Sequence, residues 1–283
     1  MKRPLIQLIV LTLLFALSAC RTTAMTDSLE VYDLENEQLL SDGQALQRLQ
    51  HARIVLVGEH HNNADHHLAQ LHVIQALHRA GRKVAIGMEM FRRESQQSLN
   101  QWTSGRMEEQ RFMAVFKDNW NFGWELYQPI LVYARDNAIP VVGLNVPRNL
   151  TLQVAYYGFQ SLTPEQKGSL EGIVCDVTPE YRDFVQRAYG AHSHGRMKFE
   201  QFCEAQLVWD SAMALNAIDY LKQNDERIMV IVAGSGHARK LGIPTQLAKR
   251  STLPYLVILP ETKGIFEKNF LTDKDADLIL LRK

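Results

Sequence analysis

Arg53-Ile54-Val55-Leu56-Val57-Gly58-Glu59 opens the most informative part of the chain, and His60-His61-Asn62-Asn63 follows it directly. An alternation of apolar and polar residues would mark a strand with one wet face. The unbroken β-branched and apolar run instead predicts a strand buried on both faces, the habit of parallel sheets covered by helices. A helix is expected next over 64–79, with Leu68, Leu71, Ile74 and Leu77 on its apolar side, Asn62 or Asn63 as a cap, and Gly81 beyond its end. The same alternation continues outward. Strands are expected over 84–90, 140–146, 228–233 and 255–259, with a last one over 277–281 closing an edge. Helical patterns fill 94–137, fragments broken by Gly158, Pro164, Gly172, Pro179 and Gly190 fill 150–195, and a long helix runs over 199–222. Gly234-Ser235-Gly236-His237 reads as a loop before a helix reaching about Arg250, and a short hairpin around Glu35-Asn36 precedes the first strand. The expected class is α/β: a mostly parallel sheet with helices on both faces and long helical insertions at about 100–137 and 150–195.

The N-terminus asks for a separate reading. Lys2-Arg3, an apolar run over 5–17 and then Leu17-Ser18-Ala19-Cys20 have the order of a lipoprotein signal, too short for a comfortable membrane span. Residues 1–19 are therefore expected to be removed, Cys20 to carry lipid, residues 20–29 to be a polar tether, and residues 30–283 to form a single domain. Acyl chains on Cys20 would anchor the protein to a membrane. Arg21, where retention in the inner membrane usually needs Asp, favours the bacterial outer membrane, on a periplasmic or a surface face. The chain is 46% hydrophobic and 22% charged, with 31 Lys and Arg against 31 Asp and Glu, so a sizeable core is expected. No basic block is present, which argues against nucleic acid as a partner. Cys175 and Cys203 are open to two readings, a disulfide or two free buried thiols.

In open α/β sheets, ligands bind beyond the carboxyl ends of the strands. Those ends are unusually polar here: Glu59 and His60, then Glu89, then Asn145 and Arg148, then His237. Buried carboxylates are costly unless paired, so Glu59 and Glu89 need cations, donors or a metal. Seven of the ten histidines lie between His51 and His78, but their spacing is no recognised zinc pattern, and His51, His72 and His78 read as ordinary surface or helix-face residues. Ser235 lacks the frame of a nucleophile elbow. Asp210, on an apolar helix beside Trp209, needs a partner, for which the strand-end histidines qualify, while Gln206 reads as a structural brace. The stretch from Tyr181 and Arg182 through Tyr189, His192, His194, Arg196 and Lys198 is of another kind. It mixes iron-ligating side chains with cations that can neutralise propionates, the set a porphyrin requires.

Several of these segments together resemble a known family. Val57-Gly58-Glu59-His60-His61-Asn62, Gly87-Met88-Glu89-Met90-Phe91, Ala205–Ala214 with its Trp209-Asp210, and Gly234-Ser235-Gly236-His237 with Gly242-Ile243-Pro244 resemble the ChaN iron-regulated lipoproteins. Their superfamily also holds Tiki-type metalloproteases and erythromycin esterases. The resemblance implies haem as the cofactor, two porphyrins stacked between the protomers of a homodimer, and a role in iron acquisition alongside a haem-uptake receptor or periplasmic binding protein. It implies a tyrosine on the iron and histidine and lysine on the propionates. Tyr156, Tyr157, Tyr181 and Tyr189 are in the relevant region. Tyr181 or Tyr189 is the preferred ligand to haem iron, with His192, His194 and Lys198 toward the propionates. It also implies the alternative of a metal-dependent hydrolase, with Glu59, His60, Glu89 and His237 at its centre.

Overall fold

The computed structural model describes residues 30–190, 197–262 and 268–281. In chain order the elements are β1 (Glu30–Asp33), β2 (Gln38–Leu40), α1 (Asp42–His51), β3 (Ile54–Glu59), α2 (Ala64–Arg79), β4 (Lys83–Arg92), α3 (Gln96–Thr103), α4 (Glu109–Asn119), α5 (Trp124–Asp136) and β5 (Val141–Asn145). There follow α6 (Arg148–Tyr157), α7 (Pro164–Gly168), α8 (Pro179–Gly190), α9 (Phe199–Gln223), β6 (Arg227–Gly234), α10 (Ser235–Ala238), α11 (Ile243–Ala248), β7 (Tyr255–Pro260) and β8 (Leu278–Leu281). The strands form one eight-stranded sheet in the order β2-β1-β8-β7-β3-β6-β4-β5. All neighbours from β8 to β5 pair in parallel, and β1 alone runs against them, antiparallel to both β8 and β2.

The apolar run of β3 is divided between two cores, as a two-residue repeat requires. Val55 and Val57 join Ile86, Val230, Val232 and helices α2, α4 and α5 on one face. Ile54 and Leu56 join Met229, Ile231 and helices α9 and α11 on the other. The helical excursions lie where the sequence puts them: α3 to α5 between β4 and β5, and α6 to α9 between β5 and β6.

Three expectations change. The last strand does not close an edge. β8 lies inside the sheet, pairing with β7 on one side and β1 on the other, and the amino-terminal hairpin becomes the rim. The residues 235–238 form one helical turn, not a loop. Leu68 does not belong to the buried side of α2 and is 46% exposed, whereas His66, His67 and Gln70 turn inward with Val73, Ile74 and Leu77. The inward polar groups are held by bonds: the Gln70 side chain donates to the Val57 carbonyl at 2.9 Å and its own oxygen meets His67 Nδ1 at 3.2 Å. Asn63 caps α2, its side chain accepting from the Asp65 and His66 amides.

One glycine fixes the geometry beside the polar strand ends. β4 and β5 are in register up to Met88–Gly143, then shift so that Arg92 meets Asn145. A methyl group on Gly143 would stand 2.4 Å from the Arg92 carbonyl oxygen. Gly143→Ala is therefore expected to force the two strands apart and lower stability by about 1–3 kcal/mol, the usual cost of overpacking. Urea unfolding measures it, and an unchanged midpoint would mean that the strands part freely. No helix among the described residues is long and apolar enough to cross a membrane.

Candidate functional site

Six chain segments bring their polar side chains together at the carboxyl edge of the sheet. Glu59 ends β3 and is 2% exposed. His61, in the turn that follows, places Nδ1 2.5 Å from Glu59 Oε1. The buried Tyr127 hydroxyl of α5 donates to the same oxygen at 3.1 Å. The result is a relay of phenol, carboxylate and imidazole.

A second relay of the same composition stands beside it. Tyr181, in the first turn of α8, donates its hydroxyl to Asp210 Oδ2 at 2.6 Å. Asp210 lies on α9 and is 1% exposed; its Oδ1 is 2.6 Å from His237 Nδ1. His237 sits on α10, the turn that follows β6, with its ring edge-on to Trp209.

Glu89 of β4 links the two. Its Oε2 accepts the Gly234 amide at 2.7 Å, and its Oε1 lies 3.7 Å from His237 Nε2. Gly234 gives His61 its room: a Cβ there would stand 3.1 Å from His61 Cε1 and 3.3 Å from Nε2. With both Nδ1 atoms on carboxylates, the Nε2 atoms are the ones left to face this ground between the relays.

Electrostatics follow from three buried carboxylates around two imidazoles. Burial opposes charge on His237, but Glu89 and Asp210 outweigh it and raise its pKa to about 9. Burial opposes charge on His61 too, and is outweighed by the Glu59 hydrogen bond and by the charges of Glu89 and Glu59, so its pKa is raised. Burial raises Asp210, with His237 and Tyr181 pulling it back. Tyr127 and Tyr181 are held well above the ordinary phenol range, by burial first and then by the carboxylates they serve. The two phenols therefore remain donors, and His237 is an imidazolium at neutral pH. Such a set can give and take protons and can hold a polar ligand. It is not arranged as a metal site: among the described residues no three His, Cys, Asp or Glu side chains are grouped to hold an ion. Of the residues of the metal-dependent hydrolase reading, Glu59, Glu89 and His237 come together here, each bonded to or facing another polar group of the site.

Of the sequence candidates, Glu59, Glu89 and His237 come together, and Asp210 finds the strand-end histidine its burial demanded. His60 does not share the relay. Its amide is bonded to His66 Nδ1 at 2.9 Å, and burial lowers its pKa. Asn145 is a brace, donating to the Glu89 carbonyl at 2.9 Å, and Arg148 is exposed at the start of α6. Ser235 turns Oγ toward β3, 2.8 Å from where a Cβ on Gly58 would be.

The porphyrin candidates divide. Tyr181 is interior and bound to Asp210, so it cannot reach a porphyrin without leaving the relay. Tyr189 is half-buried near the end of α8, its hydroxyl on the Met197 carbonyl at 2.8 Å and its ring against Phe199 and Phe202. Lys198 is exposed at the cap of α9, and Tyr156 and Tyr157 are exposed on α6. His192 and His194 lie outside the described residues, as does Cys20. Cys175 and Cys203 are both free thiols.

A family model described as haem-binding uptake, Tiki superfamily, ChaN matches residues 45–247. Among solved structures, the ChaN of Campylobacter jejuni, described in terms of cofacial haem binding, is 18% identical with a TM-score of 0.72. The match covers 91% of this chain and 98% of that one. The type III effector HopBA1 is 13% identical with a TM-score of 0.50, covering 85% and 92%. At such identities these structures share the fold. The chloroplast protein RETICULATA-RELATED 5 of Arabidopsis thaliana is 25% identical over 128 residues, a match spanning 43% of this chain and 17% of that protein.

Proposed function

This chain belongs to the haem-binding uptake, ChaN family of the Tiki superfamily, and we propose that it binds haem for iron acquisition. Family membership over residues 45–247 carries the reading. The surface supports it: α6 presents Leu152, Tyr156 and Tyr157 to solvent, and Tyr189 leads into the segment that holds His192, His194 and Lys198. In this reading two protomers stack two porphyrins between them, so that one patch serves both subunits about a two-fold axis. Tyr189 ligates ferric iron, and the histidines with Lys198 meet the propionates. Lipid on Cys20 holds the protein at the outer membrane, from which haem passes to or from an uptake partner. Tyr181 belongs to the second strand-end relay, through its hydrogen bond to Asp210, and to the same helix as Tyr189. Titration with hemin, followed by visible absorption and by sedimentation, tests the proposal. Saturation at one haem per chain in a dimer is expected. The absence of a saturable Soret change would refute haem binding, and saturation of a monomer would refute the stacked pair.

A further inference from the structure

We propose that Cys175 and Cys203 are a disulfide-forming pair that closes the base of the α8 excursion. Cys175 precedes α8 and Cys203 stands near the start of α9, so the two bracket residues 176–202. That interval contains Tyr181, Tyr189, His192, His194 and Lys198. Its described part is fastened to the rest of the molecule by the Tyr181–Asp210 hydrogen bond, by one small apolar cluster and by the Arg239 guanidinium over the Phe184 ring.

Both thiols belong to that cluster. Cys203 is buried with Tyr181, Phe184, Val185 and Leu207, and Cys175 packs against the same group from the half-buried side. Cys175 Sγ lies 4.0 Å from the carbonyl oxygen of Glu204, the residue after Cys203. Burial above all pushes the Cys175 thiol up to about 12, with the Glu204 carboxylate and Cys203 adding to it, and burial pushes Cys203 up to about 11. Protonated thiols of this kind are poor nucleophiles and poor metal ligands. What two of them sharing one apolar cluster can do is exchange slowly with an external disulfide.

The exchange runs in two steps. The Cys175 thiolate, the more accessible of the two, attacks one sulfur of an external dialkyl disulfide. Its S–S bond breaks, one thiol leaves, and Cys175 is held in a mixed disulfide. The Cys203 thiolate then attacks the Cys175 sulfur, forming the internal bond and expelling the second thiol. The external disulfide takes up two electrons, and the protons of the two cysteines end on the departing thiols. The closed bond spans residues 176–202 and restrains the unfolded chain by the length of that loop. In the folded protein it ties the root of α8 to α9 beside Tyr181. Its effect on haem rests on the haem reading above; the bond itself does not.

Oxidised glutathione is the probe. The full chain is incubated with it, alkylated in denaturant and mapped by peptide mass, which separates the pair from Cys20. A peptide joined through Cys175 and Cys203 is expected, forming about tenfold faster per pH unit as thiolate accumulates. The Cys175→Ser chain should leave Cys203 alkylatable, and the oxidised wild type should unfold at a temperature several degrees above the reduced form. A lasting glutathione adduct on Cys175 with Cys203 still alkylatable would overturn the pair, because the second thiol would then be out of reach. Hemin titration of both forms is read separately. A chain that cross-links and binds no hemin keeps the pair and loses the haem reading, whereas slower hemin release from the cross-linked form supports both.

Discussion

Asp210→Ala lowers the free energy of unfolding at neutral pH by about 3–5 kcal/mol, the cost of removing one partner from a buried ion pair. The substitution strands two donors at once. The Tyr181 hydroxyl loses its 2.6 Å acceptor in the interior, and His237 Nδ1 loses its own. Asp210→Asn keeps the shape and one acceptor oxygen, so it should cost less than alanine and separate charge from hydrogen bonding. The pH dependence has a defined sign. The folded pKa of His237 is about 9 against an ordinary value of 6.5. A basic group raised by folding contributes stability that is complete below its unfolded pKa and is lost as pH rises through its folded one. Wild-type stability should therefore fall between about pH 6.5 and 9, since the folded protein keeps a proton that the unfolded chain has released. In Asp210→Ala the fall should be shallower without vanishing, because Glu89 still faces the imidazole. Urea unfolding across that range is the measurement. A loss under about 1 kcal/mol, with an unaltered slope, would show that the pair is no stronger than an exposed salt bridge.

This coupling explains why the strand-end cluster was only partly legible in the sequence. Strands and helices announce themselves through apolar period, and β3, β4 and β6 are continuous buried runs whose polar ends are easy to mark. Glu59, Glu89 and His237 were visible for that reason. His60 and His61 are equivalent in the sequence; the turn after β3 decides between them, sending His61 back onto Glu59 and bonding the His60 amide to His66. Tyr127 carried none: on α5 it is one more large residue of an apolar face, and only the fold shows that its hydroxyl meets Glu59 across 68 positions of sequence. Tyr181 reads in the sequence as an iron-binding side chain, whereas its carboxylate partner lies on α9, 29 positions away. Position within the sheet was likewise beyond reach, because β8 reads as a short terminal strand and no local pattern shows that β1 returns to cover it. On α2 hydropathy ranks leucine above histidine and glutamine for the buried side. Tertiary hydrogen bonds to the strands reverse that order.

The second relay also gives the haem reading its sharpest test, since it takes one of the two tyrosines of α8, Tyr181, and leaves Tyr189 outside it. Tyr189→Phe is expected to weaken hemin binding by about 100-fold or more, equivalent to about 2.8 kcal/mol, and to abolish the tyrosinate-to-iron charge-transfer band. Phenylalanine keeps the ring packed on Phe199 and Phe202 and removes the ligating oxygen. The Met197 carbonyl loses its donor as well, so circular dichroism must show the fold intact before the loss is assigned to ligation. Tyr181→Phe should do the opposite. It should leave the hemin spectrum in place and lower stability, because its hydroxyl serves Asp210 in the interior. Tyr156→Phe and Tyr157→Phe, both on the exposed end of α6, test the other tyrosines that face solvent. A phenolate is a hard anionic donor that favours ferric over ferrous iron, so dithionite should release hemin from the wild type. If the charge-transfer band survives in Tyr189→Phe and disappears instead in Tyr156→Phe or Tyr157→Phe, the porphyrin lies against α6 and the assignment to α8 is wrong. If all four variants keep the band, iron ligation by a tyrosine of this region is excluded. A histidine of the 192–194 segment or of the strand ends would then hold the metal, and a ferric spectrum of the nitrogen-ligated type would accompany that outcome.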